Sequence, residues 1–90
     1  SRLEAASLLT DFASRNRALR GISLAAAQAG DVEATTETLG RINDYSTHNE
    51  AALDAVRALT LRGHKKEALE IAKSIGDISL RDKALYELAQ

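Results

Sequence analysis

Two histidines and several closely spaced carboxylates are the side chains with which this sequence could do chemistry. His64 and Glu67 are three residues apart, which on a helix brings two ligands to one edge of a metal ion, but no third ligand is nearby. Neither His64 nor His48 has a serine or cysteine partner at a catalytic spacing, and no Gly-rich phosphate loop, nucleophile elbow or HExxH motif occurs. We therefore expect a surface or capping role for both histidines, no metal, no cofactor and no enzymatic activity.

The carboxylates also occur in pairs at helical spacing. Such pairs share one helix face and could serve acid–base chemistry, but charges at these spacings usually form a solvated surface. The pairs are Glu33 with Glu37, Glu50 with Asp54, and Glu67 with Glu70. Opposite charges at i, i+4 favour the structural interpretation. They predict ion pairs between Lys66 and Glu70 and between Lys83 and Glu87.

Three arginines cluster within six residues, at Arg15, Arg17 and Arg20. In the structural interpretation they solubilise a helix, with Arg15 pairing beside Asp11. In the functional interpretation they form a small basic patch that holds an acidic peptide or a chain-terminal carboxylate. Both interpretations remain open at the level of sequence.

The overall composition excludes several classes of protein. The formal net charge is −1, whereas a general nucleic-acid binder would carry a basic surplus, so nucleic acid is an unlikely partner. The chain has no cysteine, which excludes disulfides and thiolate metal sites. No segment approaches the roughly 18 apolar residues that cross a bilayer, so we expect no membrane insertion.

A period of 33 residues runs through the chain. Leu9–Phe12, Ile42–Tyr45 and Ile75–Ile78 each consist of an aliphatic residue, a spacer, an aspartate and a large apolar residue. A cationic or imidazole side chain follows at the third position after each segment, and an alanine three positions later. These are Arg15, His48 and Arg81, then Ala18, Ala51 and Ala84. In the middle copy the pattern slips by one residue between Ala51 and Val56 and recovers by Gly63.

Each period resolves into one long and one short helix. The chain is rich in Ala and Leu and has no Pro, which favours helix throughout. The predicted helices span residues 2–10, 13–29, 32–42, 46–62, 65–75 and 79–90. Their predicted core stripes, at i, i+3, i+4 and i+7, are Leu19, Ile22, Ala25, Ala26 and Ala29; Ala52, Ala55, Val56 and Leu59; and Ala68, Ile71, Ala72 and Ile75.

Glycines and aspartates mark the ends of these helices. Gly30 and Gly63 fall where a helix ends and the backbone needs a left-handed residue. Asp11, Asp31, Asp44 and Asp77 precede helices, where a carboxylate accepts from free backbone N–H groups. Thr35, Thr36 and Thr38 lower the helix propensity of residues 32–42, which we expect to be the softest interior helix.

These features predict an all-α protein, a right-handed α-solenoid of antiparallel helix pairs with about six helices. Connections of two to four residues favour antiparallel neighbours, and each pair buries its apolar stripe by stacking on the next. We expect one domain over residues 1–90. Because the chain lacks an initiator Met and begins on a predicted helix, we expect it to be a segment of a longer protein.

The period, the two-helix unit and the run from Gly63 to Ala72 resemble the tetratricopeptide-repeat superfamily of α-solenoids. The phrase Gly-x-x-x-Glu-Ala-Leu at residues 63–69 is similar to the turn and second helix of such repeats. The early aromatic, the Leu-Gly pair and the closing Pro of that family are absent, and HEAT-like helical pairs are the alternative. The resemblance implies a groove lined by one helix of each pair, and peptide or protein partners.

We therefore predict a protein–protein interaction scaffold or adaptor. Solvent-facing positions of the long helices are the predicted partner-binding residues, namely Arg17, Arg20, Asn49 and Asp54. One alternative is an RNA-binding helical repeat of pentatricopeptide type, which has almost the same period but needs a basic groove. Another is self-association through the open repeat ends, where Leu3, Leu8 and Leu9 and then Leu85 and Leu88 present apolar edges.

Overall fold

The structure, a computed structural model, describes residues 1–90 and consists of six α-helices with no β-strand. The helices are α1 (Arg2–Ser7), α2 (Phe12–Gln28), α3 (Val32–Leu39), α4 (Tyr45–Leu61), α5 (Lys65–Lys73) and α6 (Ile78–Leu88). The predicted all-α class and number of helices are confirmed. Each long helix begins one residue earlier than predicted, and each short helix ends two or three residues earlier.

Aspartates begin four of the six helices, as predicted. The side chains of Asp11, Asp31, Asp44 and Asp77 each accept a hydrogen bond from the backbone N–H three residues later, at 2.8–3.0 Å. These bonds satisfy donors that the first turn of a helix leaves without a partner. The repeated aspartate is therefore a helix-initiating residue.

Gly30 and Gly63 end α2 and α4 in the left-handed conformation, with φ of +77° and +85°. The residue after each glycine donates its backbone N–H to a carbonyl five residues earlier. These bonds run from Asp31 to Ala26 and from His64 to Leu59, both at 2.9 Å. They form the Schellman ending that glycine adopts without steric cost, and the prediction for both glycines is confirmed.

The long helices α2 and α4 lie side by side and run in the same direction. Near their starts, the Asn16 amide donates to Asn43 Oδ1 at 3.0 Å, and near their ends Arg62 donates to the Gln28 carbonyl at 3.3 Å. Asn16 Oδ1 also accepts from the Asn43 backbone N–H at 3.4 Å, and this second bond recurs one period later, where Asn49 Oδ1 accepts from the Gly76 N–H at 3.1 Å. Helices α2 and α4 each contain 17 residues and start 33 residues apart, in agreement with the period of the sequence.

Helix α4 occupies the centre of the molecule and contacts α2, α3, α5 and α6. It is buried around most of its circumference, and its buried apolar residues are Ala51, Ala52, Leu53, Ala55, Val56, Ala58 and Leu59. Four of these are alanines, whose small side chains let neighbouring helices approach closely. The predicted stripes of α4 and of residues 68–75 are both confirmed as core.

The predicted stripe of α2 is wrong in part. Leu19 is fully buried, but Ile22, Ala25 and Ala26 are half-buried and Ala29 is exposed. The buried face instead includes Asn16, Ser23 and Ala27 beside Leu19. The reason is tertiary: α3 and α4 cover that side of α2, whereas only the short helix α1 lies on the other.

Helix α3 buries two threonines where α5 has Ala68 and Ile71. The hydroxyls of Thr35 and Thr38 donate to carbonyls four residues earlier, at 2.7 Å, so neither buried oxygen lacks a partner. Threonine commonly satisfies its hydroxyl in this way inside a helix.

Candidate protein-binding surface

Three large apolar side chains lie exposed at the first residue of the three long helices. Phe12, Tyr45 and Ile78 keep 63%, 64% and 72% of their surface in contact with solvent. They occupy the same position of successive repeats, directly after the capping aspartates. Since α2 lies beside α4 and α4 beside α6, the three form a line along one edge of the molecule, which we call the apolar row.

An arginine or a histidine lies one helical turn after each member of the apolar row. The Arg15 guanidinium lies 4.7 Å from the centroid of the Phe12 ring, a cation–π contact, and its Nε has no hydrogen-bond acceptor. His48 and Arg81 hold the equivalent positions on α4 and α6. Arg15 therefore stacks on the row and does not form the predicted pair with Asp11.

Of the four predicted binding residues, Arg17 is the exposed cation without an ion-pair partner. Its guanidinium lies 3.4 Å from the Ser14 hydroxyl. It borders a shallow depression between α2 and the start of α4, beside the apolar row. The depression is lined by Phe12, Asn16, Arg17, Arg20, Asp44 and Thr47.

The fold brings Arg20 and Asp54 together, but they form an ion pair between α2 and α4 and not a free binding surface. Arg20 Nη2 lies 3.1 Å from Asp54 Oδ2, and Nη1 lies 3.3 Å from Glu50 Oε2. The paired carboxylates Glu50 and Asp54 thus share one guanidinium that arrives from α2. The arrangement ties α2 to α4, and this part of the arginine cluster has a structural role.

Asn49 is not solvent-facing, which corrects its predicted placement. Only 2% of its surface is exposed, and its Oδ1 accepts the Gly76 N–H. The helical pattern of α4 places Asn49 off the core stripe, but the connection between α5 and α6 packs on that side of the helix. Its Nδ2 has no hydrogen-bond partner.

The predicted ion pairs along single helices do not form. Glu70 pairs with Lys73 at 3.1 Å and not with Lys66. Glu87 pairs across the interface with Arg57, at 2.7 Å, and not with Lys83. Helical spacing made the predicted pairs possible, but a guanidinium on the adjacent helix offers the Glu87 carboxylate two hydrogen bonds.

Two of the capping aspartates, which lie at the same edge as the apolar row, have lowered pKa values. Hydrogen bonds from the Ser14 hydroxyl and backbone hold the pKa of Asp11 below its ordinary value. The Thr47 hydroxyl and backbone lower the pKa of Asp44 in the same way. Both groups therefore stay charged beside the apolar row.

Both histidines are half-buried. His64 takes the N-cap position of α5, but its side chain makes no capping hydrogen bond. No group of three or more His, Cys, Asp or Glu side chains is arranged to hold a metal ion. None of the six helices combines the length and the apolar character that crossing a bilayer requires.

Comparisons with models of known families, with characterised proteins and with solved structures give no match to this chain. The sequence pattern alone does not distinguish the exposed apolar row from core positions. Its signal is the large apolar residue after each repeated aspartate, which in the sequence marks only the period.

Proposed function

We propose that this chain is a tetratricopeptide-like, right-handed α-solenoid segment of antiparallel helix pairs. Two observations support the stacking. The hydrogen bond from a backbone N–H to a buried asparagine recurs with a period of 33 residues, and the long helices α2 and α4 share one direction. A short helix that joins two long helices of the same direction has to carry the chain back between them, which favours antiparallel pairs.

The function that we propose is protein binding through the apolar row. The supporting observation is the exposure of Phe12, Tyr45 and Ile78 at three equivalent positions. Isolated apolar residues on a surface are ordinary, but an aligned set often marks a contact site. Burying each side chain against a partner would contribute about 1.5–3 kcal/mol before the costs of association.

The spacing of the row favours an extended peptide segment as the partner. Packed helices lie about 8–10 Å apart, and an extended peptide in the polyproline II conformation advances about 3.1 Å per residue with about three residues per turn, which places every third side chain on one face. An apolar side chain at about every third residue of the peptide would therefore reach successive members of the row. The depression at Arg17 offers a carboxylate of the peptide a cation beside Phe12.

The charge balance of the chain favours protein binding over RNA binding. Arg20, Arg41 and Arg57 each pair with a carboxylate of the chain, and the formal net charge is −1, so the chain has no basic surplus with which to neutralise phosphates. RNA affinity depends strongly on that neutralisation.

Selection from a displayed peptide library tests the proposal. We expect the chain to enrich peptides with apolar residues at a spacing of about three, in line with the polyproline II geometry above. Replacing Phe12, Tyr45 and Ile78 together by serine should abolish binding of the selected peptides while leaving the helical circular dichroism unchanged.

Leu61→Ser provides the matched control, because Leu61 is 89% exposed and lies at the other end of α4. This variant should bind the selected peptides normally. Equal loss of binding in the control, or enrichment of peptides without spaced apolar residues, would contradict the proposed site. Binding to single-stranded RNA in place of any peptide would support the pentatricopeptide alternative.

A further inference from the structure

The exposure of the apolar row belongs to the repeat itself. Tyr45 lies in the middle repeat, with α2 on one side of its helix and α6 on the other. It is nevertheless 64% exposed, as much as Phe12 at 63%. A neighbouring repeat on either side therefore leaves this position open, and the row is a surface that successive repeats share.

The two aromatic rings of the row are held in place by contacts within the chain. The Arg15 guanidinium stacks on the Phe12 ring, 4.7 Å from its centroid. The Tyr45 ring lies against the backbone of Gly76, where a β-carbon would come within 2.9 Å of Tyr45 Cε1. Glycine thus permits a close approach between the ring and the connection into α6. Both rings are positioned before a partner binds, and both remain mostly exposed.

Consecutive members of the row adjoin one another across the starts of the long helices. Phe12 shares a depression with Asp44, the residue directly before Tyr45. Tyr45 in turn lies against Gly76, two residues before Ile78. The row therefore continues from one repeat to the next at the spacing of packed helices, about 8–10 Å.

This spacing distinguishes among the regular conformations of a bound peptide. A polyproline II segment returns to the same face after one turn of three residues, or about 9.3 Å. A β-strand returns to the same face after about 6.6–6.8 Å. An α-helix does so after about 5.4 Å, or after about 10.5 Å for two turns. Of these repeats, that of polyproline II falls within the spacing of the row.

The backbone around the row gives a bound peptide little to pair with. The chain has no β-strand whose edge could receive another strand. In the first turns of α2 and α4, the N–H groups of Ser14 and Thr47 already donate to the capping carboxylates, at 3.0 and 2.8 Å. A partner that needs few backbone hydrogen bonds suits such a surface, and proline has no N–H to satisfy.

We infer that the peptide bound by the apolar row is a proline-rich segment in the polyproline II conformation, with a proline at every third position. The inference rests on the proposed protein binding and names the class of partner. Surfaces lined by aromatic side chains bind such segments, because the proline rings pack on the aromatic rings. Proline also fixes φ before binding, so three contacts have less conformational entropy to offset.

Fluorescence anisotropy with three labelled peptides tests the inference. The first peptide carries Pro-x-x-Pro-x-x-Pro with serine and glutamine at the positions x. The second has the same composition with the prolines at unequal spacings, and the third has valine, similar in size, in place of each proline. The first should bind at least about tenfold more tightly than either of the others. The second loses the match to the row, and the third loses the preformed conformation.

Protein variants separate a failure of this inference from a failure of the proposed function. Replacing Phe12, Tyr45 and Ile78 together by serine should weaken binding of the first peptide at least about tenfold, whereas Leu61→Ser should bind it as the parent does. A valine peptide that binds as tightly as the proline peptide, and loses affinity in the triple variant, would overturn the inference and leave the row as a binding site. Proline-peptide binding that survives the triple variant would overturn both proposals.

Discussion

Arg57 and Glu87 form a two-point ion pair between α4 and α6, with Nε–Oε1 at 2.8 Å and Nη2–Oε2 at 2.7 Å. The guanidinium holds the pKa of the Glu87 carboxyl below its ordinary value, chiefly through these hydrogen bonds. Glu87 stands 33 residues after Asp54, the carboxylate that Arg20 binds on α4. A carboxylate at the same position of the repeat thus joins each neighbouring pair of long helices. The arginine that binds it lies one helical turn later in the repeat on α4 than on α2.

Glu87→Gln should lower the free energy of unfolding at pH 7 by about 0.5–1 kcal/mol, the value of a well-aligned, partly exposed pair. Because folding lowers the pKa of Glu87, its stabilisation is complete above its ordinary value of 4.5 and is lost as the pH falls below it. Urea unfolding between pH 7 and pH 3 should therefore show a shallower acid decline for the variant. Glu33→Gln, at an exposed carboxylate without an ion pair, should leave the decline nearly unchanged, and an equal effect there would contradict the assignment.

Asn49→Ala should destabilise the fold more than most surface substitutions. It removes the acceptor of the Gly76 N–H at a fully buried site, which costs about 1–3 kcal/mol. Chemical denaturation of this variant is to be compared with that of His48→Ala, at the half-exposed preceding residue, where we expect a change within about 0.5 kcal/mol. Equal stability of the two variants would show that the asparagine contact contributes little.

The local features of the fold were predictable because they depend on residues close in sequence. Asp11, Asp44 and Asp77 cap helices through atoms three residues away, and Gly30 and Gly63 end helices through their own backbone conformation. The buried face of α2 was not predictable in the same way. Helical periodicity identifies apolar stripes, but which side of Leu19 is covered depends on where α3 and α4 pack.

The surface residues were less predictable for the same reason. Asn49 and Arg20 are polar and were expected at solvent, yet Asn49 bonds the connection that leads into α6 and Arg20 forms an ion pair with α4. Conversely, Phe12 and Tyr45 have the character of core residues and lie exposed. Side-chain polarity alone does not distinguish a contact between repeats from a contact with solvent.

Alanine substitution of two glycines should change stability with opposite signs. Gly63 has φ of +85° with open space around its α-carbon, so Gly63→Ala should cost about 1–2 kcal/mol through backbone strain alone. Gly21 lies within α2, also with open space, and Gly21→Ala should stabilise by about 0.5–1 kcal/mol because alanine favours helix. Thermal unfolding monitored by circular dichroism checks both. A loss of stability in Gly21→Ala would contradict the prediction, because the structure leaves open space for the added methyl group.

Helix α3 should open more readily than the other interior helices. Thr35, Thr36 and Thr38 reduce its helix propensity, and it has only eight residues. Native-state hydrogen exchange should therefore show faster exchange for α3 amides than for those of α4, which other helices surround. Thr36 is exposed, so Thr36→Ala should raise propensity by about 0.5 kcal/mol without a packing loss and slow α3 exchange about twofold. The amides of α5 serve as the internal control, since their exchange should not change. If α3 already exchanges as slowly as α4, packing outweighs propensity and the threonine run does not soften the helix.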